Sequence, residues 1–196
     1  TRPSRGPGGP VMPGCVNVFA VDRDPVRAAR ALCDRHVVKM TLETAQILCS
    51  AARTRLGREA PYRATHANHP CVAWAAARRA NWDWLVCHGL ALADEYERRF
   101  GRVHLSRAII ARTARSGPPP SAVRRRQPFA QVMPERYRGR DAVMAYRRYY
   151  AGEKARFATW KPPSRPPRWW TGERVSGSGR AGRRPERRGR PGVRAP

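Results

Sequence analysis

Lysine is what this sequence most conspicuously goes without. Of its 40 basic residues only Lys39, Lys154 and Lys161 are lysine, leaving 37 arginines. A GC-rich coding bias explains the shortage, together with abundant Ala, Gly and Pro. Against that background a retained lysine can mark a place where a guanidinium will not serve, because only an ammonium can shed its proton and become a nucleophile; chance survival is the plain alternative. Acidic residues are scarce too, 14 in all, so the formal charge is +26. No apolar run is long enough to span a membrane, and no signal-peptide pattern is present. The five cysteines (Cys15, Cys33, Cys49, Cys71, Cys87) are odd in number and form no C-x-x-C pair, which suits reduced thiols in a cytosol better than a disulfide framework. Phosphate-cradling glycine loops and nucleophile-elbow motifs are also missing.

The charge is unevenly distributed. Residues 16–100 hold 13 basic and 9 acidic side chains, whereas 101–172 hold 17 basic and 3 acidic. A field that one-sided favours a polyanionic partner, most simply nucleic acid, with affinity that falls steeply as salt rises. Residues 1–15 (Pro/Gly-rich) and 173–196 (Arg/Gly/Pro) cannot build a core and read as disordered ends around one domain over 16–172. A valine at position 16 is also what an internal GTG start codon would give, so the expectation is that the natural chain begins there.

Within 16–172 the pattern is helical. VNVFAV (16–21) reads as a short extended segment. Asp24-Pro25 and His69-Pro70 are helix starts, with proline at the first helical position. Helices are expected from Pro25 to about Cys33, from about Arg35 to Arg53, and from Cys71 to Phe100 with a break near His88-Gly89. Gly101 closes that stretch as a left-handed cap. Two more helices are expected over 105–115 and from an Asp141 cap to about Phe157. The fold class is all-α, one compact domain.

The most informative stretch is DRHVVKMTLETAQILC (34–49). At 100° per residue His36, Lys39, Glu43 and Gln46 share one narrow stripe, and nearly everything else on the wheel is apolar or small. The helix reads as buried almost all round. Buried charges are costly unless paired or used. One reading is therefore a core helix with a satisfied polar seam (Lys39 and Glu43 are spaced i, i+4); the other is an active-site wall carrying a carboxylate, an amine and an imidazole.

Cys33-x2-His36 and His66-x2-His69, with Cys71 nearby, are ligand types zinc could use. His36 lies on a helical stripe rather than a loop, so no metal is expected, and a zinc-binding hydrolase using Cys33, His36, His66 and His69 stands as an alternative. His66, Asn68 and His69 precede a helix start, where capping and loop hydrogen bonds are the default reading and pocket-lining the better one if they face Glu43. Further on, charge is interleaved with rings: Arg147, Arg148, Trp160, Lys161, Arg168, Trp169 and Trp170 are candidates to grip phosphates and stack on bases. Tyr146, Tyr150 and Phe157 fall near helical periods and read as core.

These residues together carry a resemblance. VNV, then Asp34-x-His36-Val37-Val38 with Glu43 seven residues after His36, then MPERYRG (133–139), a helix and RPPRWWTG (165–172), resemble the phage pyrimidine-dimer DNA glycosylases of the endonuclease V type over 16–172. The chain is also similar to phage proteins that share the HVVKM-LETAQ and THxNHP segments. The resemblance implies a small all-α enzyme that excises damaged or modified pyrimidines from double-stranded DNA with the base extruded, in the cytoplasm (nucleoid-associated or in a phage-infected host), with no cofactor and as a monomer. In that family an N-terminal α-amine attacks the sugar C1′ and a glutamate stabilises the cationic sugar. Carried over, Glu43 is the glutamate, His36 orients or contacts phosphate, and Lys39 is amine or phosphate clamp. Fifteen residues precede the VNV segment, which leaves the N-terminal amine, Lys39 and a Glu43-activated water as candidate nucleophiles. A non-catalytic nucleic-acid-binding protein is the alternative from another class.

Overall fold

The computed structural model describes residues 16–172, and the expected disorder of 1–15 and 173–196 lies outside the described residues. Six α-helices follow in order: α1 (Pro25–Ala31), α2 (Asp34–Arg55), α3 (Pro70–Ala77), α4 (Arg79–Phe100), α5 (Ser106–Arg115) and α6 (Ala142–Lys154), with a single 3₁₀ turn at Glu135–Tyr137 before the last. Among the described residues there is no strand. The all-α reading holds.

Local signals set most boundaries. The Asp24 carboxylate accepts the Arg27 N–H at 2.7 Å with Pro25 at the first position of α1. Asp141 caps α6 through the N–H groups of Val143 and Met144. Gly101 ends α4 at φ +70°, a conformation that only glycine adopts without cost. The expected break at His88-Gly89 is wrong: α4 runs straight through it. The chain breaks at Arg78 instead, which is extended (φ −148°, ψ 148°). The Asn81 amide donates to the Trp74 carbonyl at 2.7 Å and so serves the frayed end of α3. Gly89 does a packing job. A Cβ there would stand 2.6 Å from Thr44 Cγ2 and 3.0 Å from Ile110 Cδ1, so the missing side chain is what lets α2 and α4 approach.

α2 is the central helix, packed against α3, α4 and α5, while α1 lies on α4. It is not buried all round, however. Val38 and Leu42, expected inside, are each 40% exposed. With Lys39 they form an outward strip, because α3, α4 and α5 cover only the other sides. The 16–21 segment is buried but unpaired. It threads the core through tight turns, Ala20 N–H to Val18 and Val21 N–H to Phe19.

A charged clip holds the C-terminal segment. The Arg99 side chain has no solvent exposure, pairs with Glu95 (2.6 Å) and Asp34 (3.0 Å), and donates to the Leu32 and Arg30 carbonyls. Asp34 in turn accepts from the Thr159 hydroxyl and the Lys161 N–H, and Glu95 accepts from the Ser164 hydroxyl. Residues 159–164 are thereby fastened to the α1–α2 corner.

Candidate active site

Glu43 sits mid-way along α2 and is 4% exposed. Its Oε2 accepts the backbone N–H of Asn17 at 2.8 Å, and its Oε1 lies 3.1 Å from Lys39 Nζ, one turn earlier. Burial pushes the carboxyl above its usual range; the Asn17 hydrogen bond and the Lys39 ammonium offset part of this. The His66 imidazole lies close enough to act on the same carboxylate when charged.

Asn17 is locked on every side. Its Nδ2 donates to the Val132 carbonyl (2.9 Å), and its Oδ1 accepts the Val18 N–H (2.7 Å) and stands 3.1 Å from the Tyr146 hydroxyl. That hydroxyl lies 2.7 Å from the Ala130 carbonyl and accepts the Val132 N–H at 3.2 Å. Three distant segments therefore converge to aim one backbone N–H at one carboxylate. Asn17 was visible in the VNV motif, but nothing local in the sequence assigns it this role.

His36 occupies a different environment. It is buried, stacked on Phe19 at 4.6 Å, edge-on to Phe157, and its Nδ1 is 2.7 Å from the Tyr150 hydroxyl. That hydroxyl also accepts the Cys33 N–H (3.0 Å) and donates to Cys33 Sγ (3.2 Å). Burial, with the charges of Lys154, Lys39 and Arg35, lowers the His36 pKa to about 3. Of the two roles carried over for His36, a neutral buried imidazole fits orientation rather than phosphate contact. Lys39 is half exposed, at the mouth of the site.

Sequence reasoning passed over Lys154. Its ammonium lies over the rings of Phe19 (5.8 Å) and Tyr149 (4.8 Å), 3.4 Å from the Tyr149 hydroxyl. Burial lowers its pKa, and Lys39 is close enough to add to the effect. The one available signal was its survival as lysine.

The remaining candidates divide. His66 (φ +54°) and Asn68 are exposed in the loop before α3. His69 is the N-cap of α3: its Nδ1 accepts the Cys71 N–H at 3.2 Å, while Nε2 is buried without a hydrogen-bond partner among the described residues. Arg147 is committed to structure, donating to the Val21 carbonyl at 2.7 Å and lying over the Trp169 ring. Arg148 donates to the Tyr137 carbonyl and is exposed. Trp160, Trp169 and Trp170 are half-buried in one cluster against Tyr150, with Trp160 Nε1 donating to the Ala31 carbonyl. Lys161 and Arg168 are exposed, Lys161 beside Phe100. The fold brings Glu43, Lys39, Asn17 and His66 together and gathers the tryptophans around the His36 side. Among the described residues no three His, Cys, Asp or Glu side chains converge as metal ligands, so Cys33, His36, His66 and His69 do not form the alternative zinc site.

The class these features define is a small helical protein with a buried, hydrogen-bonded carboxylate beside exposed and half-buried amines, on a strongly basic chain. Residues 16–107, which carry that carboxylate, match the family model described as pyrimidine dimer DNA glycosylase. The match begins at Val16 and ends just inside α5. No curated protein and no solved structure matches the chain.

Proposed function

We propose that this protein is a DNA N-glycosylase that removes damaged or modified pyrimidines from double-stranded DNA, acting as a monomer on an extruded base. The observation that carries the reading is Glu43: a nearly buried carboxylate, fixed by the Asn17 N–H and Lys39, in the family-matched stretch of a basic chain. As the bond from C1′ to the base breaks, positive charge develops on the sugar, and a preorganised carboxylate in a poorly solvated place stabilises it. Keeping Glu43 ionised is the work of Asn17 and Lys39.

Base loss leaves C1′ open to a nucleophile. If that is an amine, it forms an imine at C1′, the C2′ proton is removed, and the 3′ phosphate leaves by β-elimination. Two side-chain amines border the site, Lys39 and Lys154. An α-amine at residue 16 would also lie one residue from the nitrogen that binds Glu43. Burial drives Lys154 toward the neutral, nucleophilic form.

The test is to incubate the protein with duplexes carrying a pyrimidine dimer, an abasic site or modified pyrimidines, then reduce with borohydride. A covalent adduct that vanishes in Lys154→Arg and persists in Lys39→Arg assigns the amine to Lys154. The reverse assigns it to Lys39, and an adduct that survives both maps to an N-terminal amine. Base release without any adduct leaves water as the nucleophile. No base release from any of these duplexes would refute the glycosylase reading, and the basic surface would then belong to a binder alone.

A further inference from the structure

A second basic feature lies apart from Glu43. A cleft of about 790 Å³ opens between the α3–α4 break, the 125–129 loop and the start of α6. Its lining includes Arg23, Arg78, Arg125, Arg126 and Arg140, with a floor at Phe129. Asp141 is the sole acid among the lining residues, and it is already spent: one oxygen caps α6 and the other pairs with Arg23 at 3.1 Å. Arg78, Arg125, Arg126 and Arg140 have no carboxylate partner among the described residues, so the lining carries a net charge of +4 (five arginines less one aspartate).

The arrangement is held in place. Arg126 stacks on Phe129 with its guanidinium carbon 3.9 Å from the ring centroid. Arg78 donates to the Arg125 carbonyl at 3.1 Å. The loop is pinned by a reciprocal pair, Asn81 Nδ2 to Gln127 Oε1 (2.8 Å) and Gln127 N–H to Asn81 Oδ1 (3.0 Å). Four unpaired guanidinium groups crowded together repel unless an anion joins them, and burial and Arg23 both lower the pKa of Arg126. Planar guanidinium forks match phosphate oxygens.

We infer that this cleft is a second nucleic-acid site, seating the phosphodiester backbone of the strand away from the reacting nucleotide. The occupant is a strand rather than a free nucleotide because the same loop ties the two sites together. Gln127 borders the cleft, and five residues later the Val132 carbonyl holds Asn17, which holds Glu43. Five residues reach at most about 18 Å. Each strand of a duplex advances about 3.4 Å per nucleotide, so this loop segment spans at most about five nucleotides of a strand. This placement rests on the proposed function; the presence of a phosphate site does not.

The experiment measures binding of the full chain to an undamaged 20-base-pair duplex as a function of salt, for the wild type, Arg125→Gln/Arg140→Gln, and a control, Arg112→Gln/Arg115→Gln on α5. All four side chains are exposed and outside the catalytic machinery. Each lost phosphate contact removes about 0.9 from the slope of log affinity against log salt, so the cleft double variant should lose about 1.8 in slope and about 10- to 60-fold in affinity at 0.1 M salt. The control should lose clearly less. Inorganic phosphate and a deoxynucleoside monophosphate form the second arm, and both should compete only weakly with the duplex. Equal losses in the two double variants, or no loss in the cleft variant, would overturn the inference, as would a monophosphate that binds as tightly as the duplex. Because the readout is binding alone, a cleft variant that behaves as expected in a protein that releases no base would sink the glycosylase reading and keep this one. Unchanged binding by that variant, with base release intact, would do the opposite.

Discussion

Gly89→Ala tests whether α2, and with it Glu43, is placed by close approach to α4. The added Cβ would lie 2.6 Å from Thr44 Cγ2, about 1 Å inside ordinary carbon–carbon contact, and Thr44 is buried one residue from Glu43. Forcing an extra carbon into a filled core costs about 1–3 kcal/mol, and the upper half of that range applies where both neighbours are buried. Alanine returns about 1 kcal/mol of helix propensity over glycine. The net expectation is a loss of about 1–2 kcal/mol, read as a lowered urea midpoint with an unchanged slope. Thr44→Ser removes the clashing methyl at a cost of about 1 kcal/mol on its own. The double variant should then be more stable than Gly89→Ala alone, with a coupling of at least about 1 kcal/mol, since the new carbon occupies the space the methyl leaves. Strict additivity, or a Gly89→Ala protein as stable as the wild type, would refute the argument that the missing Cβ sets the α2–α4 distance.

Acid should destabilise the fold early. His36 and His88 are buried neutral, with pKa values lowered to about 3 and about 4. The unfolded chain therefore takes up protons first as pH falls through 6.5, and stability drops by about 2 kcal/mol per histidine between pH 6.5 and 5. Urea midpoints across that range should show the loss, with a shallower dependence in His36→Gln; a flat profile contradicts the assignment. Arg99→Met should cost about 1–3 kcal/mol, because Asp34 and the Leu32 and Arg30 carbonyls lose their donor while Glu95 keeps Arg98 and the Ser164 hydroxyl. Thermal unfolding measures this, and a wild-type Tm would mean that the clip is decorative.

Much of the helical framework was legible because its signals are local. Asp24-Pro25, His69-Pro70, Asp141 and Gly101 each act within one turn of themselves, and all four boundaries stand. The break near Gly89 was misplaced because a glycine inside a helix reads as a weakness, whereas here a facing threonine requires it. Nothing around Ala75–Arg79 announces the true break, since Asn81 and Trp74 stabilise it by a side-chain bond. The stripe on α2 correctly placed Glu43 and Lys39 together. It could not show that Val38 and Leu42 face out, because exposure depends on which neighbouring helices happen to cover them. Asn17 and Lys154 lie 26 and 111 residues from Glu43 in sequence, and only the folded chain brings Asn17 to it and Lys154 to the nearby Phe19–Tyr149 rings.

The central claim is that the Glu43 carboxylate does chemistry rather than hold the fold, and single-turnover base release by Glu43→Gln measures it most directly. With a duplex carrying a pyrimidine dimer at saturating protein, the account predicts a rate lower by about two to three orders of magnitude, affinity within a few-fold of wild type, and an unchanged urea midpoint. In the wild type the same rate should fall as pH drops through a value above the usual carboxylate range, since burial raises the Glu43 pKa. A Glu43→Gln protein that releases the base at the wild-type rate would contradict the account and leave α2 as architecture.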